Sequence, residues 1–182
     1  MNESQWRRGA VLVPILARIP HSVIFVERAQ HLRRHPGQIG FPGGIEDPAD
    51  AGDPVKTALR ELSEELGVET ERVKVVGRLP QIEQGVYRFL ITPVVGILDD
   101  RTRFAVDGEE IVGVFTVPLA AIVASGALHE DPELSNARGT TSYAFDYEDR
   151  RIWGFTARVL KSFVDAWNAP NETLDLPRSL RD

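Results

Sequence analysis

Apolar residues along this chain gather into short runs that predict strands, interrupted by stretches of helical spacing. "AVLVPILA" (10–17) and "SVIFVERA" (22–29) read as two strands joined by a turn at Ile19-Pro20-His21. "RVKVVGRL" (72–79), "VYRFLITPVVGIL" (86–98) and "EIVGVFTV" (110–117) predict further strands, and "PLAAIVASG" a short helix beginning near Pro118. Phe155, Val159, Leu160, Phe163 and Trp167 recur at helical spacing and predict a helix over 154–168. Between the early strands and the central region, "QHLRRHPGQIGFPGG" (30–44) reads as a loop, basic at first and then rich in Gly and Pro. The polar end, "APNETLDLPRSLRD", is expected to fray, which gives one domain over 1–170 and a tail over 171–182.

The best-defined element lies in the middle. Asp53 can cap a helix, Pro54 suits its first position because a missing N–H costs nothing there, and Gly67 stands where a left-handed cap would stop it. Val55, Ala58, Leu59, Leu62 and Leu66 form its apolar face, while Glu61, Glu64 and Glu65 fall on the other side and are expected to converge. Strands interleaved with two or three helices indicate a mixed α/β sandwich.

Composition adds limits. A chain of 182 residues with 42% hydrophobic content can bury a real core. It has no cysteine, so disulfides and thiolate metal sites are out of reach, which suits a reducing cytoplasm. A net charge of -6 argues against a nucleic-acid partner. The run "VLVPILA" is far short of a membrane span, no cleavage-site pattern follows it, and it is expected to be the first core strand.

Three glutamates on one helix repel one another unless something offsets their charge. A hard divalent cation would: magnesium takes oxygen ligands, keeps several waters and bridges carboxylates to phosphates. The alternative is a solvated acidic face with Lys56 and Arg60 as local partners. The neighbouring "GQIGFPGG" favours the cation, because glycine backbone can approach a polyanion closely.

"FPGG" followed by "RELSEELGV" resembles the box of the Nudix hydrolases, G-x5-E-x7-R-E-U-x-E-E-x-G-U, where U is aliphatic. Its second half is matched by Arg60, Glu61, Leu62, Glu64, Glu65, Gly67 and Val68. The first half departs: the position eight before Arg60 is Gly52, and the loop "IEDPADAGD" is enlarged. The box's first glutamate therefore stays unassigned among Glu46, Asp47, Asp50 and Asp53. Upstream, Arg28, Ala29, Arg33, Gly37, Phe41, Pro42, Gly43 and Gly44 match a block found in Nudix enzymes resembling coenzyme A pyrophosphatases, although "IFVE" replaces its opening L-L-T-x.

The resemblance implies an α/β/α sandwich with a mixed sheet, and metal-dependent hydrolysis of coenzyme A or its derivatives to 4'-phosphopantetheine and 3',5'-ADP. It implies Mg²⁺ or Mn²⁺ held by Glu61, Glu64 and Glu65, with Arg60 orienting a neighbouring carboxylate. The base stays open among Glu61, Glu109 and Glu110, with Glu110 joining Arg60, Glu61 and Glu64 as the catalytic candidates. Arg28, Arg33 and Arg34, with His31 and His35 nearby, would meet the substrate's phosphates beside Gln38, Gly43 and Gly44, since arginine donates to phosphate in pairs. Tyr87 and Trp153 are candidates to stack on adenine or line the pantetheine path, and His129 and Glu130 to sit on a loop over the site. The partner expected is a small nucleotide, with neither nucleic acid nor membrane; a homodimer is compatible with the sequence but not fixed by it. The alternatives are another nucleoside diphosphate linked to a second moiety (ADP-ribose, a dinucleotide) or a non-catalytic nucleotide-binding module.

Overall fold

The computed structural model describes residues 6–33, 35–85, 87–106, 108–169, 174–177 and 180. Strands β1 (Arg7–Leu16) and β7 (Phe89–Leu98) run parallel through ten paired residues at the centre of an eight-stranded sheet, and every other pairing in it is antiparallel. The sheet is therefore mixed. β5 (Val73–Arg78) and β6 (Ile82–Gln84) lie beyond β7. On the other edge of β1, β2 (Ser22–Arg28) pairs at Ile15 and Leu16 and then diverges from it, while β2's far edge pairs with β8 (Ile111–Pro118) along its length.

That divergence positions the site. Where β2 leaves β1, the segment predicted as a loop fills the gap as two very short strands. β3 (Ile39–Gly40) pairs with β2, and β4 (Gly43–Ile45) pairs with β1 at Gly9–Val11. Leu12 N–H donates to Pro42 O (2.8 Å) between them.

Side chains alternate along each strand, so the sheet buries both faces. Leu12, Ile24, Val26, Val94 and Leu98 meet Ala58, Leu62 and Leu66 of α1 (Pro54–Leu66). Phe25, Val95 and Val117 meet Val159, Leu160 and Phe163 of α4 (Gly154–Asn168), beside α2 (Leu119–Val123). Helices on both faces make the α/β/α sandwich. The expected caps of α1 are present: the Asp53 side chain accepts from Val55 N–H (2.9 Å), and Gly67 is left-handed at φ 65°.

A second sheet was not anticipated. It orders β11 (Arg150–Trp153), β10 (Tyr143–Tyr147) and β9 (Leu128–Glu130), with α3 (Pro132–Arg138) between β9 and β10. His129 and Glu130, expected on a loop, are strand residues, and His129 Nε2 lies 3.6 Å from Asp146. The strand expected from residue 86 begins at Phe89, behind a turn closed by Tyr87 N–H to Gln84 O (3.1 Å). The stretch expected to fray is anchored at its described positions. Leu174 bridges to Gly77, Asp175 N–H donates to Val76 O (2.8 Å), and Leu174 and Leu180 join the core against α4. Among the described residues, no helix is long and apolar enough to cross a membrane.

Candidate functional site

Residues three and four apart on a helix both neighbour the first, but on opposite flanks of it, so packing along one flank can bury one of them and leave the other outside. Glu61 and Glu65 accordingly turn toward the glycine segment. Gly43 N–H donates to Glu65 Oε2 (3.2 Å), and the Glu61 carboxylate lies so close to Gly44 that a Cβ there would collide with it. Glu64 instead faces outward, 59% exposed, and accepts from Arg60 Nη1 (2.9 Å).

Arg60 ties this end of the helix to the enlarged loop. Its Nη1 also donates to Glu61 Oε1 (2.8 Å), its Nη2 to Ile45 O (3.0 Å) and Asp50 Oδ2 (3.0 Å), and its Nε to Asp50 Oδ1 (3.2 Å). Asp50 closes a 3-10 turn capped by Asp47, and Thr57 Oγ1 donates to it (2.9 Å). The Arg60 hydrogen bond holds the Asp50 carboxyl down at about 2, despite its burial. Contact with Asp50 and Glu61 pushes Arg60 well above the usual arginine range.

Sequence reasoning left Asp50 among four candidates. The signal for it was present: Thr57 and Arg60, three apart on α1, both reach the loop, and an aspartate three residues after Asp47 completes a capping box.

Burial raises Glu61 and pushes Glu65 up to about 8, and in Glu65 the next contribution is the Glu61 charge. The charge of Glu110 raises both. Two largely desolvated carboxylates acting on each other need positive charge beyond what Arg60 supplies, and a divalent cation fits that need. Among the described residues no three carboxylates or imidazoles stand close enough to hold an ion alone. This suits an ion that relies on a pair of carboxylates and completes its shell with water and substrate phosphate.

The glycine segment opens into a cleft of about 830 Å³. Arg28, Gln38, Gly43 and Gly44 line it, opposite Tyr87, Trp153 and the start of α4. Arg28 Nη2 lies 3.5 Å from Glu110, and its buried Nε finds no partner among the described residues. Gln38 Oε1 is hydrogen-bonded to His35 Nδ1 (2.8 Å), and His35 meets Tyr87 edge-on at 5.5 Å. Arg33 is exposed and contributes nothing to the lining; Arg34 lies outside the described residues. The cleft thus joins glycine backbone, the cations Arg28 and Arg158 and an aromatic wall, with the acidic pair packed against the glycines, an arrangement suited to a phosphate-bearing ligand with a flat group.

Comparison with known proteins agrees with this geometry. The family model described as NUDIX domain matches residues 6–168. The uncharacterized Nudix hydrolase NudL of Salmonella paratyphi B is 36% identical over 158 residues, covering 87% of this chain and 81% of that protein. A NUDIX hydrolase from Alicyclobacillus acidocaldarius superposes with a TM-score of 0.52 at 18% identity, covering 88% of this chain and 92% of that one. A MutT/nudix family protein from Enterococcus faecalis gives 0.58 at 14% identity, covering 97% and 67%. Family model and relative together show that this chain belongs to the Nudix hydrolases, pyrophosphohydrolases that use divalent metal ions.

Proposed function

We propose that the protein hydrolyses the pyrophosphate bond of coenzyme A or its derivatives, releasing 4'-phosphopantetheine and 3',5'-ADP. The observation that carries this reading is the shared cleft. Arg28, Gln38, Gly43 and Gly44 line one volume, with Glu61 and Glu65 immediately behind the glycines. Arg28 belongs to the arginine-bearing block that resembles coenzyme A pyrophosphatases.

In this reading Glu61 and Glu65 hold Mg²⁺ or Mn²⁺, with Glu64 at the rim of the ion's surroundings. When bound, the ion neutralises pyrophosphate charge and lowers the pKa of an attacking water. Arg60 fixes the Glu61 carboxylate against Gly44 while Asp50 fixes Arg60, so the ligand geometry is set before substrate arrives. Arg28 and Gln38 donate to phosphate oxygens, with the exposed Arg33 available to an outer phosphate. Tyr87 and Trp153 offer flat surfaces to the adenine or the pantetheine arm. Glu110, beside Arg28 and electrostatically coupled to both metal-side glutamates, is the group we assign as base.

Turnover of coenzyme A, 3'-dephospho-coenzyme A, ADP-ribose and NADH with Mg²⁺ or Mn²⁺, products identified by mass, tests the reading. Coenzyme A should be cut fastest, into the two named products. Equal or better rates on ADP-ribose would move the protein to another Nudix specificity. Inactivity on every substrate would make it a binding module.

A further inference from the structure

A second pocket, of about 300 Å³, lies at the C-terminal end of α1 and shares no lining residue with the cleft. Gly67 and the loop after β7 form it, and four of its lining side chains are charged: Arg72, Arg101, Arg103 and Glu69. The balance favours an anion on a protein that is acidic as a whole. Glu69 is occupied by Arg72 Nε (2.5 Å), and Asp99, just outside, accepts from the Arg101 backbone N–H (2.7 Å). Arg101 and Arg103 are exposed and, among the described residues, enter no ion pair.

The wall between them is Thr102, which is 6% exposed. Its Oγ1 is buried and has no hydrogen-bond partner among the described residues. An unpaired buried hydroxyl is costly, so such a group is met by water, an ion or a ligand. The surrounding turn is fixed, with Thr102 N–H donating to Asp99 O (3.0 Å), so Thr102 is held in the turn that carries the two arginines. The end of α1 would ordinarily repel an anion through its exposed carbonyls. Here Gly67 N–H occupies Ser63 O and Ala105 N–H occupies Leu66 O, both at 2.9 Å, which removes much of that objection.

We infer that this pocket binds a phosphate group, as inorganic phosphate or a small phosphate monoester, between Arg101, Arg103 and the Thr102 hydroxyl. Guanidinium forks and a hydroxyl donor are the groups that recognise a tetrahedral oxyanion.

Amide NMR of the full chain, titrated with inorganic phosphate and separately with glycerol phosphate at constant ionic strength, reads the site. Chloride at equal ionic strength is the control. Saturable shifts are expected at Gly67, Val68 and residues 101–103, with the tighter of the two ligands identifying the natural source. Arg101→Glu and Arg103→Glu should each weaken binding about tenfold, the scale of one lost charge-assisted contact. Thr102→Val should weaken it less. If that variant unfolds, the two exposed arginine variants still decide. Shifts that chloride reproduces, that stay linear, or that survive both charge reversals would overturn the inference.

Discussion

Glu65 is 6% exposed, beside Glu61, and its carboxyl group keeps its proton up to about pH 8 in the absence of metal. In the unfolded chain the same group ionises near ~4.3. Below that value both states are protonated and the group contributes nothing to the pH dependence. Between there and about 8 the unfolded state alone ionises, so stability falls with rising pH, by up to roughly 1.4 kcal/mol per unit. Urea unfolding of metal-free protein should show this decline, and Glu65→Gln should flatten it. A divalent ion held by Glu65, as proposed, would bind the ionised form, so Mg²⁺ or Mn²⁺ should raise the melting temperature more at pH 8 than at pH 6. A metal effect independent of pH would remove Glu65 from the ligand set. At this scale the sequence was informative about residue type but not about direction. Glu61, Glu64 and Glu65 were visible as a group, yet only packing against Gly43 and Gly44 separates the buried pair from the exposed third member.

Two adjacent glycines serve different purposes in the β3–β4 segment. A Cβ on Gly43 would strike the backbone of Ala10 and Val11, which belong to the central strand and cannot yield. A Cβ on Gly44 would strike the Glu61 carboxylate, the movable end of a side chain. Gly43→Ala should therefore cost about 2 kcal/mol or more in urea unfolding. Gly44→Ala should leave stability within about 0.5 kcal/mol of wild type while lowering kcat about 10²-fold, by displacing a carboxylate that must sit in place. Elements with strong periodicity or caps were legible: β1, β2, α1 and α4 lie close to where their apolar spacing puts them. β3, β4 and β6 were not, because strands of two or three residues carry no alternation to read. The second sheet escaped for a related reason, since its strands are at most five residues long and alternate with charged positions such as Asp146 and Arg151.

For the molecule as a whole, the described C-terminal residues Leu174, Asp175 and Leu180 behave as part of the fold. Leu174 is 6% exposed and bridges to Gly77, and one hydrogen bond from the neighbouring Asp175 reaches β5, although polar composition predicted fraying. Scattered leucines in a polar stretch do not look like a buried element until a groove is available to receive them. Leu174→Ala should lower the unfolding free energy by about 2–3 kcal/mol with kcat unchanged at 25 °C. A truly loose end would show a change within about 0.5 kcal/mol. The wedge of glycine-rich backbone between the parting strands has a further consequence for how such a protein can diversify. Hydrogen-bonded on both flanks, it leaves little room for drift, which ties the carboxylates beneath it to one geometry. The facing surface at Tyr87, Trp153 and Phe155 is built from side chains around a turn and a helix start, and it is there that selection can exchange one substrate's shape for another without disturbing the ladder opposite.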